Sequence, residues 1–275
     1  MTSDLTLITG GTGKTGRRVA ARREARDRAV RIGSRSGTPP FDWEDPATWP
    51  AALAGATSAY VSFYPDLAVP GSVAAVAAFA EAALAVGCRR LVLLSGRGEP
   101  EAQAAERAVQ DSGADWTVVR CSWFDQNFSE SYFREPLLAG ELALPVGDVG
   151  EPFVDADDIA DVAVAALTEP GHAGRLYELT GPRLLTFADA VAEIAAATGR
   201  ELRYVPITLE EFMAGIADDG VPADAAALLA FLFGEVLDGR NASVTDGVQQ
   251  ALGRPARDFR EFARDAAAAG AWSVP

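Results

Sequence analysis

A glycine-rich segment near the start of the chain contains residue types that bind phosphate groups. The segment is TLITGGTGKTGRRVA, residues 6–20, and it includes the Gly-Lys-Thr triplet that ends a P-loop. A P-loop would need a glycine at position 8, where this chain has Ile8, so that interpretation fails. The glycines instead match the spacing of a dinucleotide-binding turn, as G-x-G-x-x-G (Gly11, Gly13, Gly16) and as G-x-x-G-x-x-G (Gly10, Gly13, Gly16).

The elements on either side of this segment are those that a dinucleotide-binding turn requires. The apolar run at 5–9 predicts a buried strand, and residues 14–27 are rich in helix formers. Glycines let the backbone approach a pyrophosphate, and the N-terminus of the helix offers free N–H groups and a positive potential. The predicted dinucleotide-binding residues are Gly10, Gly11, Thr12, Gly13, Lys14, Thr15 and Gly16. The alternative is a tight strand–helix turn that binds no ligand.

The end of the next strand indicates which dinucleotide is bound. An NAD site has an acidic residue there to bind the ribose hydroxyls, but no Asp or Glu lies between Asp27 and Asp42. The strand at 29–33 is followed instead by Ser34 and Arg35, whose side chains can bind a 2′-phosphate. We therefore predict NADP(H) as the cofactor, the alternative being that Arg35 is a solvated turn residue.

Three further residues complete the predicted cofactor site. Asp42 is expected to meet the adenine amine, although a turn-forming role explains this aspartate nearly as well. Tyr64 and Ser95 lie at the ends of the predicted strands at 58–64 and 89–96. The carboxyl ends of strands in such sheets bind ligands, so both residues are included in the site.

Strands and helices alternate along the first part of the chain, which indicates a parallel sheet with helices on both faces. The strand segments are the apolar runs at 5–9, 29–33, 58–64, 89–96 and 115–121. We predict an α/β fold with a doubly wound parallel (Rossmann) sheet in residues 1–150. A smaller C-terminal α+β substrate-binding region is predicted in residues 151–275, mainly helical and partly interleaved with the first domain.

Finer predictions concern the loops and the C-terminal part. We expect a very short strand around Phe41, and a helix that starts at Pro46 with Asp45 as its N-cap. Residues 175–207 are predicted to form a small strand–helix–strand unit. The lone histidine, His172, lies in a turn segment and is expected to be exposed to solvent. The last helix is predicted from Asp258 to Trp272.

The composition argues against several classes of function. The 275 residues carry a net charge of −15 with a pI near 4.5, which disfavours general nucleic-acid binding. Two cysteines far apart, Cys88 and Cys121, disfavour a disulfide framework and a zinc site. No signal peptide is evident, and no apolar run reaches the roughly 18 residues of a membrane span. We therefore expect a cytoplasmic protein with no membrane partner, and the sequence predicts no particular oligomeric state.

An acidic run precedes one predicted helix and raises the question of a metal site. Its members are Asp155, Asp157 and Asp158. Helix capping and interaction with the helix dipole explain these aspartates better than metal binding does, so no metal is predicted.

Several segments together carry a family resemblance. They are TGGTGKTG, RIGSRS, FDWEDPATW, LVLLSGRGE, DWTVVRCSWFDQNF and PFVDADDIADVA, and the resemblance runs from about Leu5 to beyond Arg203, with a weaker tail to Trp272. These segments resemble the NmrA-like group of atypical short-chain dehydrogenases. FDWEDPATW, SWFDQNF and LTGPRLLTF are similar to a subgroup that includes bacterial NAD(P)H-binding proteins, quinone reductases and fungal agroclavine dehydrogenases. The resemblance implies a Rossmann fold and bound NADP(H). Members are variously quinone, ketone, enone or iminium reductases, and redox-sensing regulators that bind NADP without turnover.

The chain lacks the acid that the usual short-chain dehydrogenase employs. That acid is a tyrosine in a Tyr-x-x-x-Lys pair, but the only lysine here is Lys14, and no tyrosine lies between Tyr64 and Tyr132. Reduction of a simple ketone gives an alkoxide that needs a proton donor, whereas an iminium ion or a quinone needs one less. We therefore predict an NADPH-dependent reductase of a conjugated acceptor: a quinone, an enone or an iminium ion. The alternatives are a non-catalytic NADP(H)-sensing regulator and a cyclase or isomerase on the same scaffold.

Candidate substrate residues follow the ends of the fourth and fifth predicted strands, where such sheets bind ligands. The predicted pocket consists of Gly96, Arg97, Cys121, Trp123, Phe124, Asn127, Phe128 and Tyr132. The aromatic side chains could stack on a flat substrate, and the alternative for each of them is ordinary core filling. The catalytic candidates are Ser95 and Tyr132. Ser95 corresponds to the serine that the usual short-chain dehydrogenase has at the end of the strand before its Tyr-x-x-x-Lys pair.

Overall fold

The computed structural model describes residues 4–273, and eight strands occur within them. The strands are β1 (Leu5–Thr9), β2 (Val30–Gly33), β3 (Ala56–Val61), β4 (Arg90–Gly96), β5 (Asp115–Cys121), β6 (Glu141–Leu144), β7 (Arg175–Leu179) and β8 (Arg203–Pro206). Six of them form one sheet in the order β2-β1-β3-β4-β5-β7, and β6 pairs with β8. All neighbouring pairs are parallel. The order reverses between β1 and β3, which confirms the predicted doubly wound α/β sheet and identifies its topological switch point.

The described residues divide into two compact units. The first comprises residues 4–121, 156–179 and 247–254 and contains the six-stranded sheet. The second comprises residues 122–155, 180–246 and 255–273 and contains the two-stranded sheet. The chain therefore leaves the first unit after Cys121 and re-enters it twice.

Helices cover the six-stranded sheet. The helices of the chain are α1 (Lys14–Glu24), α2 (Trp49–Leu53), α3 (Ser72–Ala85), α4 (Pro100–Asp111), α5 (Asn127–Glu130), α6 (Arg134–Ala139), α7 (Ala156–Thr168), α8 (Phe187–Thr198), α9 (Leu209–Asp218), α10 (Ala223–Phe231), α11 (Gly247–Leu252) and α12 (Phe259–Ala268). Helix α7 packs on β3, β4, β5 and α1, whereas α3 packs on α4. Leu91 and Leu93 of β4 are buried in one cluster with side chains from α2, α3 and α4. None of the helices described is long and apolar enough to span a membrane.

Ion pairs connect α1 to the acidic start of α7. Arg22 donates to Asp157 Oδ1 at 2.7 Å and to Asp161 Oδ1 at 2.6 Å. Burial opposes ionisation of Asp157, but the hydrogen bonds and charges of Arg22 and Arg18 together outweigh it, and the pKa of that carboxyl lies below its ordinary value. Asp158 is buried and bonded to Arg254 at 2.7 Å. Arginine partners therefore account for these aspartates, both of which lie in the first turn of α7.

The segment expected to contain a strand around Phe41 is a loop, so that prediction is wrong. Phe41 joins an aromatic cluster defined by Phe41, Trp43, Trp49, Phe63 and Phe79, in which the Trp43 and Phe79 rings lie 5.1 Å apart. The Trp43 indole donates to Ser62 O at 3.1 Å, and the Trp49 indole donates to Asp42 O at 2.7 Å. Aromatic packing and indole hydrogen bonds thus fix this connection without strand pairing. A short 3-10 turn at Pro46–Thr48 is capped by Asp45, as predicted.

Two other local predictions were also wrong. His172 is buried rather than exposed: its Nδ1 lies 2.9 Å from the Tyr177 hydroxyl, and burial lowers its pKa. The strand, helix and strand predicted at 175–207 form as β7, α8 and β8, but they do not make one unit, because β7 joins the six-stranded sheet beside β5. Strand β8 pairs instead with β6, from Glu141 opposite Arg203 to Leu144 opposite Pro206.

The core of the second unit is aromatic. Phe128, Phe153, Phe187 and Phe259 are each no more than 2% exposed, and the Phe128 and Phe153 ring centroids lie 5.3 Å apart. The Trp272 indole closes the cluster by donating to Phe128 O at 2.9 Å. The last helix, α12, begins after Asp258, as the sequence predicts, but it ends at Ala268 rather than at the predicted Trp272. The Asp258 side chain caps this helix by accepting from Arg260 N.

Phe79→Ala should lower the free energy of unfolding by about 3–5 kcal/mol, because it leaves a cavity within the aromatic cluster. Chemical denaturation followed by tryptophan fluorescence would measure the change. The control is Val86→Ala: Val86 directly follows the same helix, is 45% exposed, and should change stability by less than about 0.5 kcal/mol. Equal losses in the two variants would contradict the packing role of Phe79.

Candidate functional site

The glycine-rich loop forms a tight turn between β1 and α1. Gly10 has φ of 62°, a conformation that glycine adopts without steric cost. Gly13 N donates to Gly10 O at 2.9 Å, and Gly13 then serves as the N-cap of α1. Glycine has no side chain with which to cap the helix, and the amides of a first helical turn lack internal partners. These amides can therefore bind an anion.

Gly16 is held against the start of the same loop. A Cβ atom on residue 16 would overlap the carbonyl oxygen of Gly10 and would lie 2.8 Å from its carbonyl carbon and 2.9 Å from Gly11 Cα. Only glycine fits there, because the atoms it meets are backbone that cannot move independently. The first turn of α1 can therefore lie directly on the loop.

The Thr9 side chain fastens the loop to the end of β3. Its Oγ1 donates to Tyr60 O at 3.2 Å and to Ser62 O at 3.1 Å, and it accepts from Ser62 N at 2.8 Å. The loop is thus positioned at the switch point between β1 and β3, where doubly wound sheets bind nucleotides.

Two exposed side chains predicted to contact the cofactor lie beside each other. The Arg35 guanidinium carbon lies 5.8 Å from the centroid of the Tyr64 ring, within the range of a cation–π contact, and Tyr64 is 67% exposed. Ser34 O accepts from Phe41 N at 2.9 Å, which folds the loop after β2 back on itself. Asp42 Oδ1 accepts from Glu44 N at 3.1 Å, so this carboxylate makes a local turn.

Residues at the ends of β4, β5 and β7 form an ionic network. Ser95 donates to Glu106 Oε1 at 2.6 Å, and Arg120 donates to the same oxygen at 2.9 Å. Glu178 accepts from Arg97 at 2.9 Å and from Arg120 at 3.2 Å. The Ser95 hydroxyl is thus bonded to a carboxylate of α4, and two arginines neutralise the glutamates of this edge.

Cys121 ends β5 as a buried thiol. Its Sγ lies 3.7 Å from Val119 O, and it is a free cysteine like Cys88. Burial, with a smaller contribution from the charge of Glu99, raises the pKa of the Cys121 thiol well above its ordinary value. The thiol is therefore neutral at physiological pH and unsuited to act as a nucleophile.

The other predicted pocket residues belong to the second unit. Phe128 is fully buried among aromatic rings, which gives it a packing role, and Tyr132 is 75% exposed. Trp123 is half-buried with its ring 5.4 Å from that of Phe233. Phe124 forms an isolated bridge with Val154. Asn127 begins α5.

Two carboxyl groups that the sequence analysis did not single out meet at the carboxyl edge of the six-stranded sheet. Asp66 follows β3 and Glu99 follows β4, and their carboxyl groups lie close enough for each to influence the pKa of the other. Glu99 is only 8% exposed. Burial and the neighbouring Asp66 charge raise the pKa of Glu99 to about 9, and burial also raises the pKa of Asp66. The pair therefore holds a proton at neutral pH, as two close carboxylates do.

The sequence does contain a signal for Glu99. This glutamate lies at the N-cap of α4, between a strand end and a helix, where ligand-binding residues of open α/β sheets occur. A prediction that considers only lysine or arginine at the start of α4 does not identify Glu99.

Across residues 4–273, no group of three or more His, Cys, Asp or Glu side chains is placed to hold a metal ion.

Comparison with known proteins yields reductases that align along nearly the whole chain. No family model matches the chain. An NAD(P)H azoreductase from Xenophilus azovorans is 35% identical over 290 residues, covering 96% of this chain and 98% of that protein. An agroclavine dehydrogenase from Claviceps fusiformis is 31% identical over 278 residues, covering 94% of this chain and 96% of that protein.

Solved structures share the fold at lower identity. An NADPH-dependent quinone oxidoreductase from Escherichia coli, complexed with NADPH, has a TM-score of 0.78 at 22% identity, covering 94% of this chain and 99% of that chain. The negative transcriptional regulator Nmra has a TM-score of 0.71 at 16% identity, covering 96% of this chain and 95% of that chain. At these identities the likeness concerns the fold alone.

Gly16→Ala should destabilise the first unit by about 1–3 kcal/mol, because the added methyl group forces α1 away from Gly10. Thermal and chemical unfolding of the nucleotide-free protein would measure this. Gly13→Ala is the matched control: its φ is −78° and its Cβ would lie 3.2 Å from Gly10 O, so the change should stay below about 1 kcal/mol. A Gly16→Ala protein as stable as the control would contradict the close approach.

Proposed function

Because this chain belongs to the NmrA-like family of NAD(P)H-binding reductases, we propose that it uses NADPH to reduce a conjugated small-molecule acceptor. The acceptor classes are quinones, enones and iminium ions. The observation that carries the choice of acceptor is the lack of a Tyr-x-x-x-Lys pair. The single lysine, Lys14, lies in the glycine-rich loop, and no tyrosine occurs between Tyr64 and Tyr132.

The cofactor assignment rests on charge and geometry in the first unit. The first-turn amides of α1 and the glycine-rich loop form a cradle for a pyrophosphate, since Gly16 lets the helix begin against the loop. Arg35 is exposed after β2 and would pair with the 2′-phosphate of NADPH. The exposed Tyr64 ring beside it would flank the adenine. NADPH supplies the hydride when bound.

The acceptor assignment follows from the charge that hydride transfer creates. An iminium ion becomes a neutral amine, and a quinone becomes an anion that its aromatic ring stabilises. A simple ketone becomes a strongly basic alkoxide, which requires a well-placed acid. The name of the azoreductase relative adds the azo group, a conjugated N=N acceptor, to the classes worth testing.

A second candidate function is an NADP(H) sensor that binds the cofactor without consuming it. The same missing pair favours it, as does the shared fold with the transcriptional regulator. A cyclase or isomerase that retains the cofactor fold without net hydride transfer is the third alternative. Fold alone does not separate these three.

Turnover separates the candidates. Purified protein would be mixed with NADPH and with a quinone, an enone, an N-alkylated iminium salt and an azo dye, and the loss of reduced-nicotinamide absorbance would be followed. Consumption of NADPH with any of them, with formation of the reduced acceptor, supports the reductase and rejects the sensor. Tight NADPH binding by calorimetry without consumption across the panel would reject the reductase.

Arg35→Glu should weaken NADPH binding by roughly 10- to 100-fold, since one charge-assisted hydrogen bond to a phosphate contributes about 1.5–3 kcal/mol. NADH, which has no 2′-phosphate, should bind with nearly unchanged affinity. Calorimetric titration of both nucleotides would measure the difference. Arg107→Glu, an equal charge change at an exposed position of α4, serves as the control. Equal losses for NADPH and NADH would remove the 2′-phosphate assignment.

A further inference from the structure

We propose that Glu99 is the proton donor of this reductase and that Asp66 is the positioning residue that keeps the proton on it. The inference rests on the proposed function and assigns the acid that the missing Tyr-x-x-x-Lys pair would otherwise supply. It stands on four observations: the place of the pair in the sheet, the space at Gly96, the burial of Glu99 and the charges around it.

The pair lies at the edge of the sheet where ligands bind. Strands β3 and β4 are neighbours, paired up to Val61 opposite Leu93, and Asp66 and Glu99 follow their carboxyl ends. Strand β3 also adjoins β1, whose glycine-rich loop is bonded to the end of β3 through Thr9. The carboxyl pair therefore occupies the edge next to the predicted dinucleotide loop, on the side away from β2 and Arg35.

Gly96 makes room for the acid at the end of β4. A Cβ atom on residue 96 would lie 2.5 Å from Glu99 Oε2 and would overlap Oε1 as well. The carboxyl group thus occupies the volume where any other residue 96 would have its side chain. This contact restricts the rotamer of Glu99, as a proton donor requires.

The groups around Glu99 favour its neutral form. They are Asp66 in the loop after β3, and Glu101 and Glu106 on α4; the thiol of Cys121 on β5, which is also near Glu99, is neutral and adds no charge. Arg120 already bonds to Glu106 and Glu178, and Arg97 bonds to Glu178. Burial and like charges both disfavour the carboxylate, which agrees with the pKa of about 9 for Glu99. The proton is therefore present at neutral pH and is lost as the pH rises through that value.

In the proposed step, the hydride, the electron pair and the proton each have a named donor and acceptor. The acceptor takes a hydride from NADPH at one atom of its conjugated double bond, and the π electron pair moves to the far heteroatom or carbon. The Glu99 O–H bond breaks as that atom takes the proton, which leaves NADP⁺, the reduced acceptor and a Glu99 carboxylate. Glu99 then regains a proton from water. An iminium acceptor needs no proton, because its hydride adduct is a neutral amine.

This difference between acceptors provides the test. Glu99→Gln keeps the size of the side chain and removes the transferable proton, and Asp66→Asn removes the partner charge. Glu101→Gln is the control, since Glu101 is an exposed neighbour on α4 that also faces Glu99. Each variant would be compared with the unaltered protein at the same pH, with an azo dye or an enone as one acceptor and an N-alkylated iminium salt as the other.

We expect Glu99→Gln to lower kcat for the azo dye or enone by roughly 10²-fold, the usual contribution of a general acid, and to change kcat for the iminium salt by less than about 3-fold. For the unaltered protein, kcat with the enone should decline as the pH rises above about 9. Asp66→Asn should shift this decline in kcat to lower pH, because it removes a like charge beside Glu99. The iminium rate should lack this decline at high pH, and Glu101→Gln should shift the decline less than Asp66→Asn does, because Glu101 is exposed to solvent. The NADPH dissociation constant should be the same in all four proteins.

Infrared titration of the nucleotide-free protein gives a readout that does not depend on activity. A protonated-carboxyl band should be present at neutral pH, disappear as the pH rises through about 9, and be missing from Glu99→Gln only. Equal loss of rate for both acceptor classes, no loss for either, or an unchanged band in Glu99→Gln would overturn the proton-donor role alone. A protein that binds NADPH but consumes none with any acceptor would overturn the proposed function, and the donor role with it.

Discussion

The first helix of this protein can begin against the end of β1 only because residue 16 has no side chain. The Cα of Gly16 lies so close to Gly10 that any Cβ would overlap backbone. That contact places the N-terminus of α1 directly against the loop at the switch point, and Thr9 binds the same loop to β3. The roles proposed for Arg35, Tyr64, Asp66 and Glu99 all depend on a dinucleotide bound at this one turn.

Carboxyl groups at the edge of the six-stranded sheet fall into two kinds, and their partners decide which. Glu106 and Glu178 are bonded to Arg120, and Glu178 is bonded to Arg97 as well, so each of these carboxyl groups has a positively charged partner. Asp66 and Glu99 lie beside each other, and burial is the largest influence on the pKa of both carboxyl groups. The same chemical group thus provides structural ion pairs at one point of the edge and a stored proton at another, because arginines pair with the first kind while burial dominates the second.

The sequence predicted the features that local patterns determine. Apolar runs and glycine spacing are local, so the residues themselves indicate the five strands of the first half and the turn between β1 and α1. The N-cap at Asp45 and the start of α12 at Asp258 are equally local. The features it missed depend on residues far apart in sequence. Strand β7 pairs with β5 across a long separation, and β8 pairs with β6 rather than β7.

The sequence also did not predict which polar and aromatic side chains are buried. His172 lies in a glycine-rich turn, which suggests exposure, yet the hydroxyl of Tyr177 on β7 gives it a buried partner. Phe41 suggested a strand, but four other aromatic residues between positions 43 and 79 draw it into a cluster. The contact of Asp66 with Glu99 likewise follows from the adjacency of β3 and β4, which the separate segments do not reveal.

The position of the single lysine of the chain is consistent with the role proposed for Glu99 as the acid. In a Tyr-x-x-x-Lys pair the cation brings the pKa of a tyrosine down toward neutrality, whereas burial beside an anion brings the pKa of a carboxyl up toward it. Both arrangements provide an acid near the working pH, but they exclude each other at one site. A lysine at the start of α4 would stabilise the Glu99 carboxylate and release the proton that Asp66 retains. A chain that relies on a neutral Glu99 therefore cannot place a lysine at that helix start, and here the only lysine lies in the phosphate loop.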